Sequence, residues 1–133
     1  MRQFRVQALG HRIEGHVGSF GTEWVFVNGV QVSRRLGIRF FPTHTFSLVD
    51  AEGGPHDAEV RFELVGGLFA RFYSEMVLAI DGRVLIRVPS LRAASDGKCC
   101  RCAYALDGLP LDEYGGYRCP ECEAWNPGLP FVD

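Results

Sequence analysis

The chain holds five cysteines, and all of them fall between Cys99 and Cys122, in the stretch CCRCAYALDGLPLDEYGGYRCPEC. Within it, Cys99-x2-Cys102 and Cys119-x2-Cys122 form two pairs separated by 16 residues. A C-x2-C turn aims two thiolates at one point, and two such turns facing each other complete a tetrahedron around a metal ion. This spacing constrains the fold more than anything else in the sequence. A tail of this size cannot bury enough apolar surface to fold alone and normally needs a metal or disulfides. A structural zinc ion supplies about 10–16 kcal/mol of apparent binding energy coupled to folding.

The expected ligands are therefore Cys99, Cys102, Cys119 and Cys122, with zinc the expected ion and iron the alternative. Four thiolates leave no position for a catalytic water, so such a metal is structural. Cys100 is the spare thiol. Pairing it with Cys102 would make a tighter C-x-C geometry, so Cys100 is expected to point away from the metal. Between the pairs, Gly108, Pro110 and Gly115-Gly116 supply turns. Tyr104, Leu106, Leu109, Tyr117 and Trp125 supply apolar cover.

The cysteines also divide the chain. The expected organisation is a β-domain over 1–92, a short polar linker over 93–98 and a four-cysteine ribbon over 99–133. The 133-residue length suits one domain with a small appendage. The tail carries Lys98, Arg101 and Arg118 against Asp107, Asp112, Glu113, Glu121, Glu123 and Asp133. Its net acidity favours a basic patch on any partner.

The first part reads as strands throughout, with no helical period of useful length. Phe4, Val6 and Ala8 alternate with Arg5 and Gln7, the period of a half-buried strand. Asn28-Gly29 lies between two β-rich runs and predicts a type I′ hairpin. A two-residue loop there pairs Val27 with Val30 and Val25 with Val32, giving an all-valine face expected to point inward. Phe46 and Leu48 are expected inside, as are Val60, Phe62 and Leu64. Ala51 to Asp57 reads as a loop. Asp81-Gly82 predicts a second hairpin, pairing Ala79 with Val84, Val77 with Ile86 and Leu78 with Leu85. The two hairpins are alike, either as a pseudo-repeat or as independent uses of a favoured turn. About seven or eight short strands with regular turn signals predict an all-β, antiparallel sandwich followed by the ribbon.

Two resemblances attach to these residues. The run VFVNGVQVS, then THTFSL, EVRFEL and LAIDGRVL, resembles the β-sandwich of the Fas apoptotic inhibitory molecule family over about residues 16–88. That resemblance implies a sandwich without enzymatic activity. The tail resembles the zinc ribbon common in bacterial, especially planctomycete, proteins. It matches at Cys102, Tyr104, Leu106, Gly108, Leu109, Pro110 and the Arg118-Cys119-Pro120-Glu121-Cys122 run. Such tails usually carry glycine after each second cysteine, where this chain has Ala103 and Glu123. The paired knuckles also resemble rubredoxin-type iron sites, which want those glycines too, so their loss counts against iron.

No catalytic signature stands beside these features. G-x-S-x-G, the P-loop and the dinucleotide fingerprint are all missing. His11, His16, His44 and His56 form no ligand frame, and His44 reads as a satisfied polar group. Gly18 to Gly21 reads as a turn. Asp50, Glu52, Asp57 and Glu59 read as a solvated face. Arg34, Arg35 and Arg39 beside Phe40 and Phe41 combine charge with stacking surfaces, as single-strand binders do. Three arginines in a chain of net charge −2 make nucleic acid a secondary expectation.

The expected function is a non-enzymatic protein-interaction or scaffold role, with a protein partner met through Trp24, Arg34, Arg35, Arg39, Tyr117 or Trp125. The alternatives are a rubredoxin-like electron carrier and a nucleic-acid-binding module. The N-terminal run lacks the apolar segment of a secretory signal, and no stretch suits a membrane span. A cytoplasmic location with reduced thiols is the expectation.

Overall fold

A computed structural model describes residues 2–36, 43–65, 73–91 and 97–128. Arg39, Phe40, Phe41 and linker residues 93–96 lie outside them. The described residues contain strands and turns but no helix. Strands β1 (Arg2–Ala8), β2 (His11–Val17), β3 (Thr22–Val27) and β4 (Val30–Leu36) form one antiparallel sheet in sequence order. Strands β5 (His44–Val49), β6 (Pro55–Val65), β7 (Tyr73–Ile80) and β8 (Arg83–Pro89) form a second. Two short strands, β9 (Gly116–Arg118) and β10 (Trp125–Pro127), pair within the cysteine tail.

Period-2 patterning explains the core. Phe4, Val6, Ala8, Ile13 and Val25 from the first sheet share one buried cluster with Leu48, Val60, Phe62, Met76, Leu78, Ile86 and Val88 from the second. The Phe4 and Phe62 rings meet at 5.3 Å across the two sheets. Gly15 sits at the tightest point. A Cβ there would come within 2.7 Å of both the Phe62 ring and Met76 Sδ.

Three hairpin turns carry two consecutive residues at positive φ, as type I′ turns require. They are Leu9-Gly10, Asn28-Gly29 and Asp81-Gly82. The last two follow from the sequence. The first does not, because leucine is a poor resident of the left-handed region.

The register departs from the simple hairpin expectation in both sheets. Val27 faces Val30 and Phe26 faces Gln31, but a bulge then puts Val25 opposite Ser33 and Trp24 opposite Arg34. The second hairpin repeats this 53 residues later. Ile80 faces Arg83 and Ala79 faces Val84, then Leu78 faces Ile86 and Val77 faces Arg87. Val32 and Leu85 are the extra residues. Each sheet is thus a four-stranded meander whose last hairpin is bulged at the same step.

The expected valine face is corrected by this geometry. Val25 is fully buried, but Val30 is 66% exposed and Val32 also faces solvent. β4 is an edge strand past the end of the core, and the bulge turns its side chains off the inner face. Leu64, expected inside, is 61% exposed because β6 overruns the sheet it pairs with the core. The loop expected over Ala51 to Asp57 ends earlier, since β6 begins at Pro55.

Candidate metal centre

The two cysteine turns are built alike. In the first, the Cys99 amide donates to the Tyr104 carbonyl at 2.8 Å, and the Ala103 amide donates to the Cys99 carbonyl at 3.0 Å. In the second, the Cys119 amide donates to the Ala124 carbonyl and the Glu123 amide to the Cys119 carbonyl, both at 2.9 Å. Ala103 and Glu123 hold φ of 63° and 65°. These are the two positions that ribbons of this type usually give to glycine. The turns keep the glycine geometry without the glycine, at a backbone cost of about 1–2 kcal/mol per residue.

The two turns face each other. Cys99 Sγ lies 3.5 Å from Cys122 Sγ, and Cys102 Sγ lies 3.5 Å from Cys119 Sγ. All four sulfurs fall within 4.8 Å of one another. Four thiolates at about 2.3 Å from a central ion would stand about 3.8 Å apart, so the cluster has the dimensions of a tetrahedral site. Cys99 and Cys119 are buried, Cys122 is half-buried and Cys102 faces solvent. Leu106, Leu109, Tyr117 and Ala124 close the inner side.

The thiols cannot all ionise unaided. Burial opposes ionisation of Cys99, but the Cys102 and Arg101 amides and the Asn126 side chain bring its pKa down to about 6. At Cys102 the Tyr104 amide favours the thiolate. Desolvation and the three neighbouring sulfurs outweigh it and push the pKa up to about 12. Burial likewise raises Cys122. One thiolate forms easily and suppresses the next. A cation at the centre is what allows four, and this donor set fits a thiophilic ion such as zinc or iron.

Asn126 is the residue that sequence reasoning missed. It is 1% exposed. Its Nδ2 donates to Cys99 Sγ at 3.5 Å and to the Ala124 carbonyl at 3.2 Å, while its Oδ1 accepts from the Cys100 amide at 2.7 Å. One carboxamide therefore ties the two knuckles together and supports a ligand sulfur. Asp112 plays a similar part beside it. One carboxylate oxygen accepts from the Tyr114 and Gly116 amides, and the other accepts from Trp125 Nε1 at 2.9 Å.

Trp125 does not supply a partner surface. It is 4% exposed and belongs to the main core cluster. Its ring needs the bare backbone of Gly116, where a Cβ would overlap it and the Asn126 carbonyl. The Gln7 amide also donates to the Tyr114 carbonyl at 3.0 Å. The ribbon is thus docked on the sheets through β1, Trp125 and β10. Tyr117 is half-buried against the cysteines.

The other partner candidates lie on the first sheet. Trp24 on β3 is half-buried and faces Arg34 on β4, whose guanidinium stands 6.0 Å from the ring centroid. Arg34 and Arg35 are exposed. Cys100 is half-buried, and burial pushes its thiol up to about 11, so it is a poor nucleophile.

The histidines are absorbed into structure. His44 is fully buried, with Nε2 2.9 Å from Glu23 and Nδ1 2.8 Å from Ser33, so it joins β3, β4 and β5. His56 lies between two carboxylates, 2.7 Å from Asp50 and 2.6 Å from Asp81. Asp50 itself organises a turn by accepting from the Glu52 and Gly54 amides.

Fold and site together define an all-β protein of two antiparallel meanders with a docked four-cysteine metal-binding ribbon. The chain matches no known family model, no characterised protein and no solved structure. Among the described residues no helix is long and apolar enough to cross a membrane.

Proposed function

We propose that this protein is a non-enzymatic interaction or scaffold module in which a zinc ion in the ribbon is structural. The observation that carries the reading is the completeness of the sulfur site. Cys99, Cys102, Cys119 and Cys122 fill a tetrahedron by themselves, leaving no position for substrate or water. The same residues hold the ribbon in shape, and Trp125 and Asn126 connect that shape to the sheets. A metal placed this way fixes a surface rather than performing a reaction. Iron in the same cage would instead give an electron carrier.

Ala103 and Glu123 in place of the two glycines favour zinc, since iron sites of this type tune their potential through close amide–sulfur approach at those turns. Metal analysis with a visible spectrum tests the reading: zinc and no colour support it, and iron with thiolate charge-transfer bands replaces it with electron transfer. Chemical crosslinking of the zinc-loaded chain in its native cells, with mass spectrometry of the adducts, tests for a protein partner.

A further inference from the structure

A crevice of roughly 240 Å³ runs between β8 and the ribbon. Val84, Leu85, Ile86 and Arg87 all line one wall. Consecutive strand residues point to opposite faces of a sheet, so four in a row mean that the crevice meets the edge of β8. β8 is the terminal strand of its sheet. Its far end is tied to β1 by the Leu91 amide, which donates to the Gln3 carbonyl at 2.8 Å. Along the crevice, β10 approaches β8 but pairs only with β9. The outward backbone groups of that edge have no strand partner among the described residues. The bulge at Leu85 adds an apolar side chain to the wall.

The opposite wall is charged in an unexpected way. The tail is acidic overall, yet its two arginines, Arg101 and Arg118, both line the crevice. Each sits directly beside ligand cysteines, Arg101 between Cys100 and Cys102 and Arg118 before Cys119. Metal loading therefore fixes the position of both. Arg87 adds a third guanidinium, partly offset by Glu63 at 2.8 Å and Glu75 at 3.5 Å. The site combines an open strand edge, apolar ground at Leu85 and Trp125, and a cationic rim.

We propose that this crevice receives an extended acidic segment of a partner protein, which adds as a strand to the outer edge of β8. Backbone hydrogen bonds along the edge supply affinity, and carboxylates on Arg101 and Arg118 supply register. This rests on the reading of the protein as an interaction module and names the face used and the chemistry of its partner. It also explains the spare Cys100, which lines the crevice instead of the metal site.

The test is selection of short random peptides displayed on phage against the zinc-loaded full chain, followed by affinity measurement on synthetic copies of the enriched sequences. The expected result is enrichment of aliphatic segments carrying two or more acidic residues. Their binding should fall about tenfold or more in the Arg101→Glu/Arg118→Glu double variant and in Val84→Glu. Metal content is measured on each variant. If the double variant loses zinc, Val84→Glu, which touches no cysteine turn, decides the matter alone. Val30→Glu on the remote β4 edge should leave binding unchanged. Enriched peptides that bind Val84→Glu as well as the native chain would overturn the crevice while leaving the interaction-module reading intact. Failure to enrich any acidic sequence would overturn the crevice, and the crosslinking experiment would then judge the broader reading separately.

Discussion

Asn126 Nδ2 donates to Cys99 Sγ across 3.5 Å, and the same side chain accepts from the Cys100 amide at 2.7 Å. A metal ligand is thus held by a buried carboxamide from the opposite knuckle. Replacing it with leucine removes a donor from the sulfur and orphans an amide. Loss of such a partner typically costs 10–100-fold in metal affinity, and the orphaned amide about 1–3 kcal/mol of stability. Asn126→Leu should show both effects, by competition with a chromophoric chelator and by denaturant melting of the loaded protein. Asn126→Asp keeps the acceptor but sets a carboxylate beside the thiolate, so it should lose metal affinity with a smaller loss of stability.

Ala103 and Glu123 occupy the left-handed region at the two knuckles. Glycine takes that conformation without the Cβ penalty. Ala103→Gly and Glu123→Gly should each stabilise the metal-loaded protein by about 1 kcal/mol, part of the gain being lost to the freer unfolded chain. Ala105→Gly, at a position of ordinary φ, should not. Thermal melting of the three variants checks this, and a lower melting temperature for both knuckle variants would contradict the assigned turn geometry.

Gly116 has no room for a side chain, because a Cβ would overlap the Trp125 ring and the Asn126 carbonyl. Gly116→Ala should therefore push Trp125 off the core and loosen the ribbon from the sheets. Overpacking of this kind costs about 1–3 kcal/mol. The readout is tryptophan fluorescence, with Trp24→Phe as background so that Trp125 reports alone. A red-shifted emission maximum is expected.

His56 between Asp50 and Asp81 gives a pH signature. Hydrogen bonding to Asp81, then to Asp50, raises the His56 pKa above its ordinary 6.5. Hydrogen bonds from His56 lower Asp50 and Asp81 below their ordinary 3.8. The histidine's contribution is complete below pH 6.5 and fades as pH rises through its raised value. The carboxylates' contribution is present above pH 3.8 and fades as pH falls through their lowered values. The cluster therefore stabilises most between about pH 4 and 6.5. His56→Gln should lower the melting temperature most within that window and least at pH 8 and above. A difference independent of pH would contradict the ion-pair assignment.

Much of the fold was legible in the sequence because its causes are local. Alternation at Phe4, Val6 and Ala8 and the Asn28-Gly29 and Asp81-Gly82 turns each act within a few residues. The cysteine spacing was legible for the same reason. The bulges at Val32 and Leu85 were not, since they arise from sheet twist and from where each meander ends. Leu9-Gly10 lacked a turn signal because leucine hides it. Trp125 looked like a surface aromatic until Gly116 and the sheets were seen to enclose it. Asn126 stood in the sequence as an ordinary turn residue. Its role exists only once the two knuckles are brought together.

The most direct measurement is metal content by mass spectrometry on native protein, Cys99→Ser and Cys100→Ser, with visible spectra of the same samples. The account predicts one zinc per native chain, no colour, loss of metal in Cys99→Ser and full retention in Cys100→Ser. Iron with thiolate charge-transfer bands, or metal retained by Cys99→Ser and lost by Cys100→Ser, would contradict it.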